Sequence, residues 1–245
     1  MIPSSPTESV LYGDILAEIH TRWFSFVAES AARHVEKSTH ALAPYDLLDL
    51  GCGSGVICEK LKPHCKMIYG IDCSPAMIQT CRALVPDGHF TTGDILDVDL
   101  PAADVVVMVG EILGYAMSRS DRTPDVLERF LRMVRERTRP GGIFLFDVLG
   151  NQHDYSGTFF HEHAEYTICS QVTTERDIVT RRIVSFLRRG PHYEKSVETH
   201  RLRTFDAAQL SDLLSRCGWI VRRLTHYDTA PLLPGRLAFE CRADG

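Results

Sequence analysis

Leu47-Leu48-Asp49-Leu50-Gly51-Cys52-Gly53-Ser54-Gly55 is the stretch on which the reading of this chain turns. A short apolar run of the kind that forms a buried strand ends in three alternate glycines, and Val56 to Leu61 follows with a helical pattern. Glycine at such a turn permits positive φ angles and lets a ligand approach the backbone closely. Many strand-to-helix turns are glycine-rich for tightness alone, so the spacing has to carry the argument. The dinucleotide fingerprint places its third glycine one residue later, where Val56 stands. Asp49, two residues before Gly51, would repel a pyrophosphate. It suits the ammonium group of an amino acid, held through ordered water.

Working outward, Met67 to Ile71 reads as a second strand that ends in Gly70-Ile71-Asp72-Cys73-Ser74. An acid at that edge can accept from both hydroxyls of a ribose. The competing reading is a helix cap, but Ser74 followed by Pro75 already fills that role. A third strand, His89 to Thr92, delivers Gly93-Asp94-Ile95, where a carboxylate can accept from an adenine amine with Ile95 against the ring; a simple turn is the alternative. Val105 to Val109 is unbroken apolar sequence, as expected of a strand covered on both faces. A helix over Asp125 to Arg137 stops at Pro140-Gly141-Gly142, and Ile143 to Val148 forms a fifth strand. Strands and helices alternating at this spacing imply an α/β fold with a doubly wound, mainly parallel sheet.

The two ends differ from this core. Tyr12 to Lys37 reads as one long helix with a stripe of Leu16, Ile19, Trp23, Phe26 and Val27. Thr158 to Thr204 looks extended, with a turn at Gly190-Pro191. Asp206 to Cys217 returns to helix, and Trp219 to Tyr227 and Leu237 to Cys241 close the chain as strands. The expected organisation is a helical lid over 1–45, a Rossmann-like core over 46–150, a β-rich insertion over 151–205 and completion of the core sheet over 206–245.

The order Asp49-Leu-Gly-Cys-Gly-Ser-Gly55, Gly70-Ile-Asp72-Cys-Ser74 with Met77, then Gly93-Asp94-Ile95, resembles class I S-adenosylmethionine-dependent methyltransferases of the small-molecule type. Pro140-Gly141-Gly142 before a strand resembles the family's later motif. The resemblance implies a seven-stranded sheet whose last strand, Leu237 to Cys241, runs antiparallel. It implies S-adenosylmethionine as cofactor and S-adenosylhomocysteine as product. Residues matching Gly51, Cys52, Gly53 and Gly55 would line the methionine portion, with Asp49 close by. Asp72 and Cys73 would serve the ribose; Met77, Asp94 and Ile95 would serve the adenine. Gly110 would leave room near the sulfonium, and Tyr12 would sit on a lid over the cofactor. Related enzymes with a β insertion, among them sugar-amine and natural-product N- or O-methyltransferases, use it to cover a small acceptor or to form a homodimer.

Ligands of open α/β sheets bind beyond the carboxyl ends of the strands. The candidates for chemistry therefore follow the fourth and fifth strands. Glu111 can hold the methionine amine or a cationic acceptor, or be a solvated loop carboxylate; Tyr115 lies in the same segment. His161 and His163 would share one face of a strand. They can face solvent, act as a general base or bind a metal, in that order, and no metal is expected. His200 and Tyr193 on a later hairpin are within reach of the same region, although nothing in their spacing requires it. Cys52 has no histidine near it in sequence and reads as structural.

Composition narrows the partners. The 245 residues carry a net charge of -5, which gives no support for a nucleic-acid surface. Arg181, Arg182, Arg188 and Arg189 alternate with apolar residues and read as the wet face of a strand. No apolar run approaches the ~20 residues needed to span a bilayer. The eight cysteines show no Cys-x-x-Cys pair, which fits small buried hydrophobes in a reducing cytoplasm. The rival functions are a dinucleotide-dependent oxidoreductase and a cofactor-binding enzyme of the same fold with a non-methylating reaction such as cyclisation.

Overall fold

The computed structural model describes residues 11–244 of the chain; the first ten residues of the expected lid lie outside them. Two helices come first, α1 (Asp14–Trp23) and α2 (Phe26–Thr39). Then β1 (Tyr45–Leu50), α3 (Val56–Leu61), β2 (Cys65–Asp72), α4 (Pro75–Leu84) and β3 (His89–Thr92) alternate. They are followed by β4 (Ala103–Met108), α5 (Ile112–Ala116), α6 (Pro124–Arg137) and β5 (Thr138–Gly150). The insertion is a meander of β6 (Gly157–Glu162), β7 (Tyr166–Glu175), β8 (Ile178–Arg189) and β9 (His192–Phe205). The chain closes with α7 (Ala207–Arg216), β10 (Trp219–Leu224), a small hairpin of β11 (His226–Tyr227) and β12 (Ala230–Pro231), and β13 (Arg236–Ala243).

Eleven strands form one continuous sheet, of which four belong to the insertion, so seven make the core. Their order is β3-β2-β1-β4-β5-β13-β10, with β1 to β5 mutually parallel and β13 antiparallel to both its neighbours. This is the doubly wound arrangement expected, with its antiparallel strand. Burial explains it. Leu48, Leu50, Val106, Met108, Phe144 and Phe146 pack on the α6 and α7 side, whereas Leu47, Val105, Val107, Ile143 and Leu145 pack on the α2 to α4 side. Strands that look uniformly apolar in sequence thus keep a strict two-residue alternation between two cores.

The expected single N-terminal helix is divided at Phe24-Ser25. The Phe24 amide donates to the His20 carbonyl to close α1, and the Ser25 hydroxyl donates to Glu29 in α2. The two halves serve different surfaces. Ile19 and Trp23 of α1 pack against Tyr166 and Leu187 of the insertion, while Ala31 and Val35 of α2 pack on the core. Trp23 is therefore an anchor between lid and insertion. The last strand segment, expected to run to Tyr227, ends at Leu224 and yields to the hairpin. Helix α5, of five residues, is too short for an apolar period to register in the sequence.

The insertion joins the core through two parallel pairs, Leu149 with Thr204 and Gly150 with Phe205. It also packs on α5, where the ring of Tyr115 joins a cluster with Leu149, Val172, Val179 and Leu202. At Gly114 a β-carbon would meet the Arg203 carbonyl oxygen at 3.0 Å. Gly114→Ala should therefore destabilise the protein by about 1–3 kcal/mol through overpacking, despite the ~1 kcal/mol that alanine gains over glycine in a helix. Urea unfolding checks the sign; a stabilised variant would contradict this close approach.

Candidate functional site

The glycine turn is stitched to the ends of the neighbouring strands. Gly51, Gly53 and Gly55 have φ of 76°, 53° and 88°, all in the left-handed region. The Gly51 and Cys52 amides donate to the Ile71 carbonyl at 2.7 and 3.0 Å. Asp72 braces the rest: its Oδ2 accepts from the Gly53 amide at 2.9 Å, its Oδ1 from the Ser74 amide at 2.8 Å. Its carbonyl accepts from Gly93 at 2.9 Å. The carboxyl ends of β1, β2 and β3, with Asp49, Asp72 and Asp94, thus lie side by side. A β-carbon on Gly51 would strike Ile112, and one on Gly55 would strike Cys81, each at 2.5 Å. Over Gly53 there is open space.

These residues fit the cofactor that the resemblance implies. An ionised carboxylate has about four lone-pair sites, so Asp72 can accept two hydroxyls beyond its two amides. Burial pushes its carboxyl up, and the Ser74 and Gly53 amides act against that. Asp94 accepts from the Leu96 amide and from Arg122, both at 3.0 Å, and stands with Ile95 and Met77, which are buried. Ser74 caps α4 and donates to the Tyr12 carbonyl at 2.8 Å, which brings the lid to the cleft. Cys73 is exposed. Cys52 is buried and tied to Cys81, consistent with a structural thiol. Asp49 is almost wholly buried, with the Cys58 thiol donating to it at 3.4 Å. Burial pushes its carboxyl up to about 8.

Beyond β4 the chain turns through Gly110 (φ 104°) and Glu111 (φ 66°), both left-handed. Asp147 of β5 holds this turn, accepting from the Gly110 and Glu111 amides at 3.1 and 2.7 Å. It accepts as well from the Tyr227 hydroxyl and from Arg236. The Glu111 side chain does not reach out for a ligand. Its two oxygens are taken by Arg181 at 2.8 Å and Arg236 at 2.6 Å, so the expectation of a free or solvated carboxylate is corrected. Burial alone would raise the Glu111 carboxyl, and the two guanidiniums hold it below its ordinary value instead. Arg181 is corrected too. Arg182 and Arg188 face outward and Arg189, at the strand end, pairs with Glu18 of α1, but Arg181 faces inward opposite His200. Strand alternation puts Arg181 and Arg182 on opposite faces, so only one of the two can lie on the wet face.

The buried histidine of the site is His200. Its Nε2 lies 2.9 Å from Glu198 Oε2, and its Nδ1 lies 3.2 Å from the Tyr115 hydroxyl. Glu198 also accepts from the Tyr12 and Gly13 amides at 2.9 and 3.2 Å. The Tyr12 ring packs 5.1 Å from His200 and 6.4 Å from Tyr115. His20 of α1 completes the aromatic wall, and burial pushes its imidazole down to about 4. Tyr12 and Glu111, both non-glycine residues with positive φ, flank this one region. By contrast His161 and His163 are exposed and stack on Tyr166 beside the lid at 5.5 and 5.1 Å. They are not brought together with Tyr115; the histidine beside that hydroxyl is His200. Tyr193 is exposed on the outer face.

Comparison with known proteins agrees with this geometry. Residues 47–142 match the methyltransferase domain family. An uncharacterized methyltransferase of Schizosaccharomyces pombe is 31% identical over 50% of this chain, which spans 48% of that relative's length. The methyltransferase YqeM of Bacillus subtilis is 28% identical, with 76% of this chain and 78% of the relative aligned. A dTDP-4-amino-2,3,4,6-tetradeoxy-D-glucose N,N-dimethyltransferase of Saccharopolyspora spinosa is 28% identical over 56% of this chain and 53% of its own length. Among solved structures, an S-adenosylmethionine-dependent methyltransferase from Clostridium acetobutylicum superposes with a TM-score of 0.80 at 19% identity, covering 94% of this chain and 98% of that one. With the glycine turn, the braced strand-end acids and the antiparallel closing strand all in place, the chain has the class I, Rossmann-like methyltransferase fold, and its residues 47–142 match a methyltransferase domain.

Proposed function

We propose that this protein methylates an amine or hydroxyl of a small molecule enclosed by α1, α5 and the inner face of the insertion, releasing S-adenosylhomocysteine. The observation that carries this reading is the buried chain Glu198–His200–Tyr115 beyond the end of β4. The cofactor supplies an electrophilic methyl group on a sulfonium. What the protein must add is position and, for an acceptor that arrives protonated, a base.

Glu198 spends its oxygens accepting hydrogen bonds from Tyr12, Gly13 and His200. His200 therefore donates through Nε2 and presents Nδ1 as an acceptor to Tyr115. The Tyr115 oxygen takes the acceptor's proton as its own passes to Nδ1, and Glu198 stabilises the imidazolium formed. The lone pair so freed would be the nucleophile toward the methyl group that bound S-adenosylmethionine would supply. Walls of Tyr12, Tyr115 and His20 keep water from this relay. The name of the Saccharopolyspora relative, an amino-sugar N,N-dimethyltransferase, supports an amine as the acceptor. No helix among the described residues is long and apolar enough to cross a membrane.

His200→Gln should lower kcat by roughly 10²–10⁴ and leave S-adenosylhomocysteine binding intact. The loss should shrink at high pH, where the acceptor arrives already deprotonated. Unaltered kcat in this variant would sink the relay.

Asp49 gives a second prediction. Its folded pKa of about 8 exceeds the ordinary 3.8, so the folded chain holds the proton more tightly than the unfolded one. Stability from this group is complete below the lower value and is lost as pH rises through the upper. Asp49→Asn should therefore melt higher than wild type, by a margin that widens from pH 5 to pH 8, yet bind S-adenosylhomocysteine more weakly. Thermal scans across pH and calorimetric titration measure the two halves separately.

A further inference from the structure

Arg181 has more donors than the protein uses. Its side chain is 24% exposed, and Nη1 donates to Glu111. Among the described residues, Glu111 is the only carboxylate bonded to it. A guanidinium carries five N–H donors in a planar fork. Arg181 also lies beside the phenols of Tyr115 and Tyr12, which bond to one another. Two other arginines along the cleft are each held by two carboxylates, Arg122 by Asp94 and Asp97, and Arg236 by Glu111 and Asp147. Part of the Arg181 guanidinium thus stays open beside the cleft. It adjoins the Gly110-Glu111 turn at the end of β4, which pairs with the strand that carries Asp49.

We propose that Arg181 is a carboxylate clamp, and that the carboxylate it takes is the one on the methionine end of the cofactor. The guanidinium edge offers paired N–H groups in the geometry a carboxylate accepts. Glu111 holds the guanidinium in orientation from behind. The insertion is then part of the cofactor site as well as a cover for the acceptor, because it supplies Arg181 from β8. This rests on the cofactor assignment and is independent of the His200 relay. A carboxylate on the acceptor is the other source with the same chemistry, and the test separates the two.

The experiment compares S-adenosylmethionine with its decarboxylated analogue by calorimetry, using wild type, Arg181→Met and Arg181→Lys. The double variant Arg181→Met/Glu111→Gln removes the buried charge together with its counterion, should Arg181→Met alone fold poorly. Wild type should favour the intact cofactor by roughly ten- to a hundredfold, the range for hydrogen bonds to a charged group. Arg181→Met, or the double variant, should lose that preference through weaker binding of S-adenosylmethionine, with the decarboxylated analogue unaffected. Arg181→Lys should keep part of it. The proposal is overturned if the preference survives in the Met variants, including the case in which only the acceptor KM rises. Equal weakening of both ligands also overturns it, since Arg181 would then be scaffold only. A wild-type protein that binds neither ligand would overturn the cofactor assignment, and the clamp with it.

Discussion

Two carboxylates and two guanidiniums meet, largely out of water, where β4, β5, β8 and β13 converge. Glu111 is shared by Arg181 and Arg236, and Arg236 is shared by Glu111 and Asp147. Withdrawing such charges from water costs several kcal/mol per ion, and breaking a buried pair from one side costs about 3–5 kcal/mol. The network is therefore a poor source of net stability and a strong source of position. Only one placement of the insertion lets Arg181 satisfy Glu111, and only one path of the turn beyond β4 lets Asp147 accept from both its amides. The lid, α5 and β9 take their places around that junction.

The cofactor end obeys the same logic with backbone groups in place of charges. Asp72 is the bracket of the glycine turn, because its two oxygens bind amides on either side of the strand end. A loop held in this way needs little reorganisation when a ligand arrives, and preorganised donors and acceptors are worth more than ones that must first be assembled. Two of the four non-glycine positions with positive φ among the described residues, Tyr12 and Glu111, lie in the same region. Strain of this kind costs of order 1–3 kcal/mol per residue and persists only where the surroundings enforce it. Here hydrogen bonds from Tyr12 to Glu198, and from Glu111 to Asp147, do the enforcing.

The lid is attached to the insertion more than to the core. Ile19 and Trp23 of α1 are packed on Tyr166 and Leu187, and Arg189 of β8 pairs with Glu18. The break at Phe24-Ser25 separates this helix from α2, which is anchored to the sheet. Lid and insertion are thus coupled to each other across the cleft, with the bridge from Tyr12 and Gly13 to Glu198 at its centre.

The sequence by itself determined the core: the parallel strands, the glycine turn, the series of strand-end acids and the antiparallel closing strand. Each of these is a local pattern, set by backbone sterics or by alternation within a few residues, so neighbours along the chain suffice to read it. The break in the lid and the short helix α5 escaped because an apolar period needs more residues than they contain. The reacting end was decided by tertiary structure. Tyr115 meets His200 across 85 positions, Glu111 meets Arg181 across 70 and Arg236 across 125. No period links such residues. Which histidine is buried, and which carboxylate is already paired, is settled by how the insertion folds back over the sheet, because desolvation and charge pairing depend on distance in space and not along the chain.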